Sequence, residues 1–376
     1  MSILNYLVLC LSLSFVLNTK AQEQEILLTQ EMALVVKDSL ENAGWIYREA
    51  FPYFYKAAKT NRAPKSCAFS PDGSVISVTL LGNVIPITQL NHKGVGAQLY
   101  DIDSLKKFKT LYPPCEEASK NWGYAEGEWH QKTGEFWMTR MSTGDFFVWH
   151  PENDSMEQYK TEGVWTKILR FNPSETMMAM SHWSSNTVTV FDIESRKYLR
   201  KMSTGKTPRG IAWANDSIFF VALFGVGDIQ VYNANTGKGI YTIKGLGGAA
   251  RDVEYDRIDS MLYYSNMGLG KVFKYDWNKK EYVGNIKVDS KTNTIRLSPD
   301  HKYLYVSCRG PNNKKGYTLP SPRDGDLFVI DVKKWKTIAK WRGGNQPTGL
   351  DISPCGRFLA QTDFQEARLT LWLVAL

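Results

Sequence analysis

The stretch from Thr207 to Asn235, TPRGIAWANDSIFFVALFGVGDIQVYNAN, recurs on both sides of itself at a constant interval, and that interval limits the fold more than any single residue does. With Arg209 as the marker, the equivalent positions are Ala125, Lys167, Arg209, Arg251 and Asn293, each 42 residues after the last. Ala63-Pro64-Lys65-Ser66 opens one further unit before them, and Gln346-Pro347-Thr348-Gly349 opens another after them. Each unit begins at a Pro-x-Gly or similar opening and continues as short apolar strands bounded by Gly, Asn and Asp, the pattern of antiparallel sheet. A period of about 40 to 45 residues is what one four-stranded propeller blade needs.

A second column tests the register. Fifteen residues after each opening marker stand Leu80, Arg140, His182, Phe224, Asn266, Cys308 and Asp363, each expected just past a second strand. The irregular spacings then localise to insertions at Leu81–Val95, Leu111–Glu117 and Pro311–Arg323. Three segments, FSPDGSVISVT (Phe69–Thr79), LSPDHKYLYVS (Leu297–Ser307) and ISPCGRFLAQT (Ile352–Thr362), resemble the repeat signature of the YVTN-repeat, YncE-like β-propeller family. Degenerate copies occur at Phe171–Ser181, Trp213–Leu223 and Tyr255–Ser265. The resemblance implies an all-β, seven-bladed β-propeller from about Ala63 to the C-terminus, with Pro and Asp-Gly closing the hairpin between the first two strands of a blade.

The last unit supplies three strands, so its fourth must come from elsewhere. The expectation is that a segment within Trp45–Phe51 pairs beside Leu369–Val374, closing the ring and removing two free edges. The chain therefore divides into a leader (residues 1–21), an N-terminal segment with the closing strand (22–62) and the propeller (63–376). The leader holds an apolar run from Ile3 to Leu17, shorter than the roughly 20 residues of a membrane span. Thr19-x-Ala21 after it is a small-residue cleavage pattern, so removal before Gln22 and a periplasmic or secreted location in a cell envelope are expected. The absence of Lys or Arg before the run keeps an uncleaved anchor as the alternative; otherwise no stable membrane span remains after processing.

Composition enters where it bears on partners. The net charge of +8 favours anionic surfaces or ligands, such as acidic polysaccharide or lipid headgroups, and is too small to argue for nucleic acid. Cys67, Cys115, Cys308 and Cys355 remain after processing and are expected to be mostly free or buried thiols. There is no C-x-x-C pair, no C-x-x-C-H haem site and no zinc-like His/Cys spacing, so neither a metal nor a cofactor is expected.

In a propeller, the loops leading into each inner strand share one face with the loops joining second and third strands. The marker column then describes a ring at the channel mouth: Lys65, Ala125, Lys167, Arg209, Arg251, Asn293 and Thr348, with four bases and no acid. The second column and its neighbours are expected to add Arg140, His182, Trp183, Phe224, Asn266, Arg309, Asp363 and Phe364. The candidate ligand-binding residues are thus Lys65, Arg140, Lys167, His182, Trp183, Arg209, Arg251 and Arg309, for an anionic small molecule or saccharide. An Arg in this slot has a purely structural alternative, bonding neighbouring carbonyls. The loop Pro311–Arg323 belongs to the same face and is the expected lid or protein contact, with Leu81–Val95 as its counterpart.

The preferred reading is a non-catalytic binding or scaffolding module that works through this loop face. A lactonase-like hydrolase acting on a small anionic substrate would need His, Arg and acid together at the mouth, and His182, Arg209, Arg251 and Asp252 could supply them. His182 is the sole candidate base in that reading, and G-x-S-x-G is absent. A non-catalytic subunit of a larger envelope complex is the remaining alternative.

Overall fold

The computed structural model describes residues 51–82, 94–117 and 120–374. Strand β1 (Pro52–Lys59) precedes the first blade, β2 to β5 (Pro64–Phe69, Val75–Leu80, Ala97–Asp101, Lys107–Leu111). The next two blades are β6 to β9 (Tyr124–Trp129, Phe136–Arg140, Asp145–His150, Ser155–Lys160) and β10 to β13 (Thr166–Phe171, Met177–His182, Thr187–Asp192, Lys197–Ser203). The fourth and fifth are β14 to β17 (Pro208–Trp213, Ile218–Leu223, Ile229–Asn233, Lys238–Ile243) and β18 to β21 (Ala250–Asp256, Met261–Asn266, Lys271–Asp276, Glu281–Lys287). The sixth is β22 to β25 (Thr292–Leu297, Tyr303–Cys308, Asp326–Asp331, Lys336–Arg342), and the seventh begins with β26 to β28 (Pro347–Ile352, Phe358–Asp363, Arg368–Val374).

Each repeat unit is one four-stranded antiparallel sheet, so the period read from the sequence is the blade. Inner strands of successive blades adjoin, and β2 adjoins β26, which makes the seven sheets a closed ring. No α-helix occurs among the described residues, and no helix among them is long and apolar enough to cross a membrane.

Closure works by the expected principle through a different segment. The outer strand of the seventh blade is Pro52–Lys59, antiparallel to β28 with Pro52 opposite Val374 and Lys59 opposite Arg368. The strand begins one residue beyond the expected segment and carries Lys56 and Lys59. Charged residues and a leading proline are how an edge strand resists further pairing. Phe51, the last residue of the expected segment, lies just before the strand, and residues 45–50 lie outside the described residues. Phe54 meets Trp372 and Tyr55 meets Phe358, and Tyr55 joins a core in which Phe69, Ile76 and Val78 of the first blade pack against Phe358, Leu369 and Leu371 of the seventh.

One irregularity, repeated seven times, sets the geometry of the channel. Every pairing of a first with a second strand shifts register near its start: between Pro64 and Ser66, Tyr124 and Gly127, Thr166 and Ile168, and at the matching places in the other four blades. A bulge strands a backbone N–H that the ladder no longer satisfies. In five blades the hydroxyl at the end of the signature accepts it: Ser66 N to Thr79 Oγ1, Glu126 N to Thr139 Oγ1, Asp252 N to Ser265 Oγ, Thr294 N to Ser307 Oγ and Gly349 N to Thr362 Oγ1, at 2.8 to 3.3 Å. In the third blade Ser181 instead donates to the Arg209 carbonyl of the fourth, at 2.7 Å. The signature serine of the hairpin has its own work, since Ser70 and Ser298 each accept the N–H five residues on and donate to Asp72 and Asp300.

Cys67, Cys115, Cys308 and Cys355 are all unpaired, with Cys67 and Cys308 buried. The fourth blade departs from the fifteen-residue offset. Pro208 pairs with Leu223, whereas the same place in the other blades pairs with Leu80, Arg140, His182, Asn266, Cys308 and Asp363. Its first hairpin is one residue shorter, so Phe224 occupies the place held by Trp183 in the third blade, and the two rings lie 4.8 Å apart.

Candidate functional site

The bulge brings three residues of each inner strand toward the axis, so the channel is built in tiers. The marker residues form the first tier at the loop face; the residue after each marker forms the second, and the third residue after it the last. Of the first tier, Lys65, Arg209 and Arg251 line a void of about 20 Å³, room for about one water molecule. Arg309 joins them from the end of the sixth blade's second strand. Lys167 lies 5.0 Å from the ring centre of Trp165 and 5.4 Å from that of Trp183, on whose ring Arg209 also rests at 5.9 Å. Arg309 stands between Tyr317 and Phe364, and Lys65 lies 5.9 Å from the same Phe364 ring.

None of these five cations forms an ion pair among the described residues. Their bonds are to neutral groups: Arg251 donates to Asn293 Oδ1, and Arg309 to Gln346 and to the Tyr317 carbonyl. Burial and then Arg251, Arg209, Arg309 and Lys167 hold the Lys65 amine well below its ordinary range. Burial and the guanidiniums of Arg209 and Arg251 do the same to Lys167. Arg251 is lowered by burial and Arg209, and burial brings Arg309 down to about 10. Like charges thus converge above Glu126 and Asp252, which line the same void and partly offset the repulsion, and the remaining excess of positive charge favours taking up an anion.

The deeper tiers reverse the sign. Glu126 and Asp252 follow the marker, and Glu128, Arg170, Glu254, Arg296 and Asp351 stand three after it. Arg170 bonds Glu126 at 3.0 Å and Glu128 at 3.2 Å; Arg296 bonds Asp252 at 3.2 Å and Glu254 at 3.1 Å, and pairs with Asp351 at 3.4 Å. Arg296 also reaches Glu126 of the second blade at 3.9 Å, so the network ties blades across the axis. Burial outweighs the neighbouring guanidiniums and pushes Glu128 and Glu254 up to about 7. Beyond this plug the channel widens on the hairpin face into a cavity of about 400 Å³, with Trp129, Trp213 and Tyr255 among its walls. Sequence reasoning missed both the plug and this cavity. The available signal was the charge at the third place after the marker in five of seven inner strands that are otherwise largely apolar.

The second column does not reach the mouth, which corrects the expectation for Arg140, His182, Asn266 and Asp363. The last residue of a second strand turns its side chain inward, to partners in its own blade and in the connector that enters that blade. Arg140 is 1% exposed and bonds Asp145, Thr143 and the Pro114 carbonyl. His182 is fully buried, with Nδ1 at 2.8 Å from Thr166 Oγ1 and Nε2 at 2.8 Å from Thr189 Oγ1. Burial and Lys201 lower it to about 3. Asn266 bonds the Gly247 carbonyl and the Ala249 and Leu269 amides, and Asp363 bonds Arg368, Gln361 and the Gly344 amide. The next position along does face the mouth, as Trp183, Phe224, Arg309 and Phe364 show.

Of the eight candidates, the structure gathers Lys65, Lys167, Trp183, Arg209, Arg251 and Arg309 and removes Arg140 and His182. The loop 311–323 lies on the same face and is held down through its carbonyls, by Arg309 and Gln346 on Tyr317, Gln346 on Leu319 and Gln365 on Thr318. Its counterpart falls largely on residues 83–93, outside the described residues.

Comparison with known proteins follows from this geometry. No family model matches the chain. A chain of a solved mitotic checkpoint complex superposes with a TM-score of 0.70, covering 88% of this chain and 94% of that one at 13% identity, a likeness of fold alone. Antigen Lp49 of Leptospira interrogans serogroup Icterohaemorrhagiae serovar copenhageni is 31% identical over 329 residues, 85% of this chain and 69% of that protein. At that identity and extent, the chain belongs to the family of Antigen Lp49.

Proposed function

We propose that the protein is a non-catalytic binding module of the cell envelope that holds an anionic ligand over the basic ring of its loop face. The observation that carries this reading is the convergence of Lys65, Lys167, Arg209, Arg251 and Arg309 without a carboxylate partner among the described residues. The bulge-and-hydroxyl pattern at the end of each signature supports reading the repeat as YVTN-type. Export is supported by the apolar run Ile3–Leu17 with Thr19-x-Ala21 after it, and by the word antigen in the name of the Leptospira relative.

The ligand chemistry follows from the site. Trp165, Trp183, Phe224 and Tyr317 beside the cations suit a ligand with a flat or ring-shaped part next to its charge, such as a sugar acid or sugar phosphate. Anion binding requires protonated amines, and Lys65 and Lys167 lose their protons well below the ordinary 10.5. Affinity therefore falls as pH rises through that lowered range, while a bound anion pulls both lysines back up. Calorimetric titration with phosphate, citrate and galacturonate, each at several pH values and beside an Arg209→Met/Arg251→Met variant, tests the reading. Binding that the variant loses is expected. Equal binding by the variant would place the ligand elsewhere, and turnover of any probe would favour the hydrolase alternative with a base other than His182.

A further inference from the structure

The apolar surface of the propeller is polarised. Outside the strands, Tyr112, Val164, Trp165, Val226, Leu246, Leu269 and Tyr317 are exposed, and all seven belong to the connectors and loops of the cup face. On the hairpin face Ile258 is the corresponding exposed large side chain among the described residues. Six of the seven form an arc over the third to sixth blades, the blades that supply Lys167, Arg209, Arg251 and Arg309, while Tyr112 stands apart in the connector after the first blade. Val164, Leu246 and Tyr317 are each more than half exposed, at 56%, 59% and 53%. Exposed Lys206, Lys244, Lys314 and Lys315 stand in the same connectors and loops.

We propose that this face docks on an anionic lipid bilayer, with lipid phosphates over the basic ring and the apolar arc in the interfacial layer. The inference rests on the anion site described above and adds its source. Charge complementarity selects the occupant. Each Lys or Arg near an anionic membrane contributes about 1 kcal/mol, and exposed aromatic and aliphatic tips around a basic surface suit the headgroup boundary. A free sugar acid would need the cup and its nearest aromatics, but would leave Leu246, Leu269 and Val226 without a role. The loop face thus lies on the membrane, and the hairpin-face cavity points to solvent.

Sedimentation of the protein with vesicles tests this, using equal parts phosphatidylcholine and phosphatidylglycerol against phosphatidylcholine alone. Binding to the anionic vesicles, weakened by salt and reduced at least tenfold in Leu246→Ser/Leu269→Ser, is the expected result. That variant alters two exposed side chains and is expected to keep its calorimetric response to phosphate, whereas Arg209→Met is expected to lose both. Phosphate binding without vesicle binding would overturn the membrane inference and leave the anion site standing. Equal binding to neutral vesicles would overturn it as well. A protein that dimerises through this face, shown by a sedimentation coefficient that falls in the serine variant, would assign the arc to a second copy of the chain.

Discussion

If the cup is electrostatically strained, removing one of its cations stabilises the empty protein and weakens the loaded one. Arg209→Met is the sharpest perturbation, because Arg209 has no ion-pair partner among the described residues and lowers Lys65, Lys167 and Arg251 at once. Arg209 and Lys167 both lie within 6 Å of the Trp183 ring centre, which puts them no more than about 11 Å apart. At an effective dielectric of about 20, that distance gives a repulsion of at least about 1.5 kcal/mol. The contact with Trp183 returns about 0.5 to 1 kcal/mol, and methionine keeps part of the apolar packing. Arg209 is also drawn to Glu126 and Asp252, which offsets part of the repulsion, so the net expectation is a gain of less than about 1 kcal/mol, which raises Tm by about 1 °C in a chain of this size. With an anion present at a hundred times its Kd, the wild type gains about 2.7 kcal/mol and the variant far less. Scanning calorimetry in low-salt chloride buffer, with and without citrate, should show the two proteins exchange rank. A variant less stable than wild type in both conditions, by 1 kcal/mol or more, would refute the premise that repulsion dominates the empty cup.

Other expectations concern the plug, the column that misses the mouth and the closure. Glu128 and Glu254 titrate near 7 when folded and near 4.5 when unfolded, so the folded state holds extra protons between those values and stability falls as pH rises through that interval. The full displacement is worth on the order of 3 kcal/mol for one carboxyl, and chemical denaturation between pH 5 and 8 should show a flatter slope for Glu128→Gln. His182→Ala should cost about 3 kcal/mol, by opening a cavity and stranding the Thr166 and Thr189 hydroxyls, while anion titration stays unchanged; loss of binding in a folded variant would return His182 to the site. Thr362→Val leaves the buried Gly349 N–H without its acceptor and should cost about 1 to 3 kcal/mol, read from the denaturation midpoint. Deleting Pro52–Lys59 should lower Tm and produce concentration-dependent self-association through the freed edge of β28, visible by size-exclusion chromatography.

The period, the blade count and the cations of the first tier were legible because they depend on one repeated place, the second residue of each inner strand. What followed was not, for a specific reason. Simple alternation puts residues two apart on one face, but the bulge makes residues three apart share the channel, so Glu128, Arg170, Glu254, Arg296 and Asp351 fell in a column that alternation does not select. Alternation also fails at the other end, where His182 and Arg140 end their strands facing inward and only the next residue looks out. The short hairpin of the fourth blade escaped notice because the blade regains the residue before Arg251, which preserves the interval of 42. The closing strand begins one residue beyond the expected segment and carries charge as an edge strand does.

The pairing of β1 with β28 has a consequence for the order in which the molecule can be finished. Its two partners stand about 300 residues apart in sequence, and the outermost strand of the seventh blade waits for the last residues of the described chain. Local hairpins form as soon as they are made, but the clasp cannot fasten until β28 has been made, and contacts of such long range are slow to form. A nascent or truncated chain is therefore an open arc whose neighbouring blades can part, and the axial network, which joins Glu126 of the second blade to Arg296 of the sixth, cannot assemble ahead of it. Arrival of β28 is in this way the event that closes the ring.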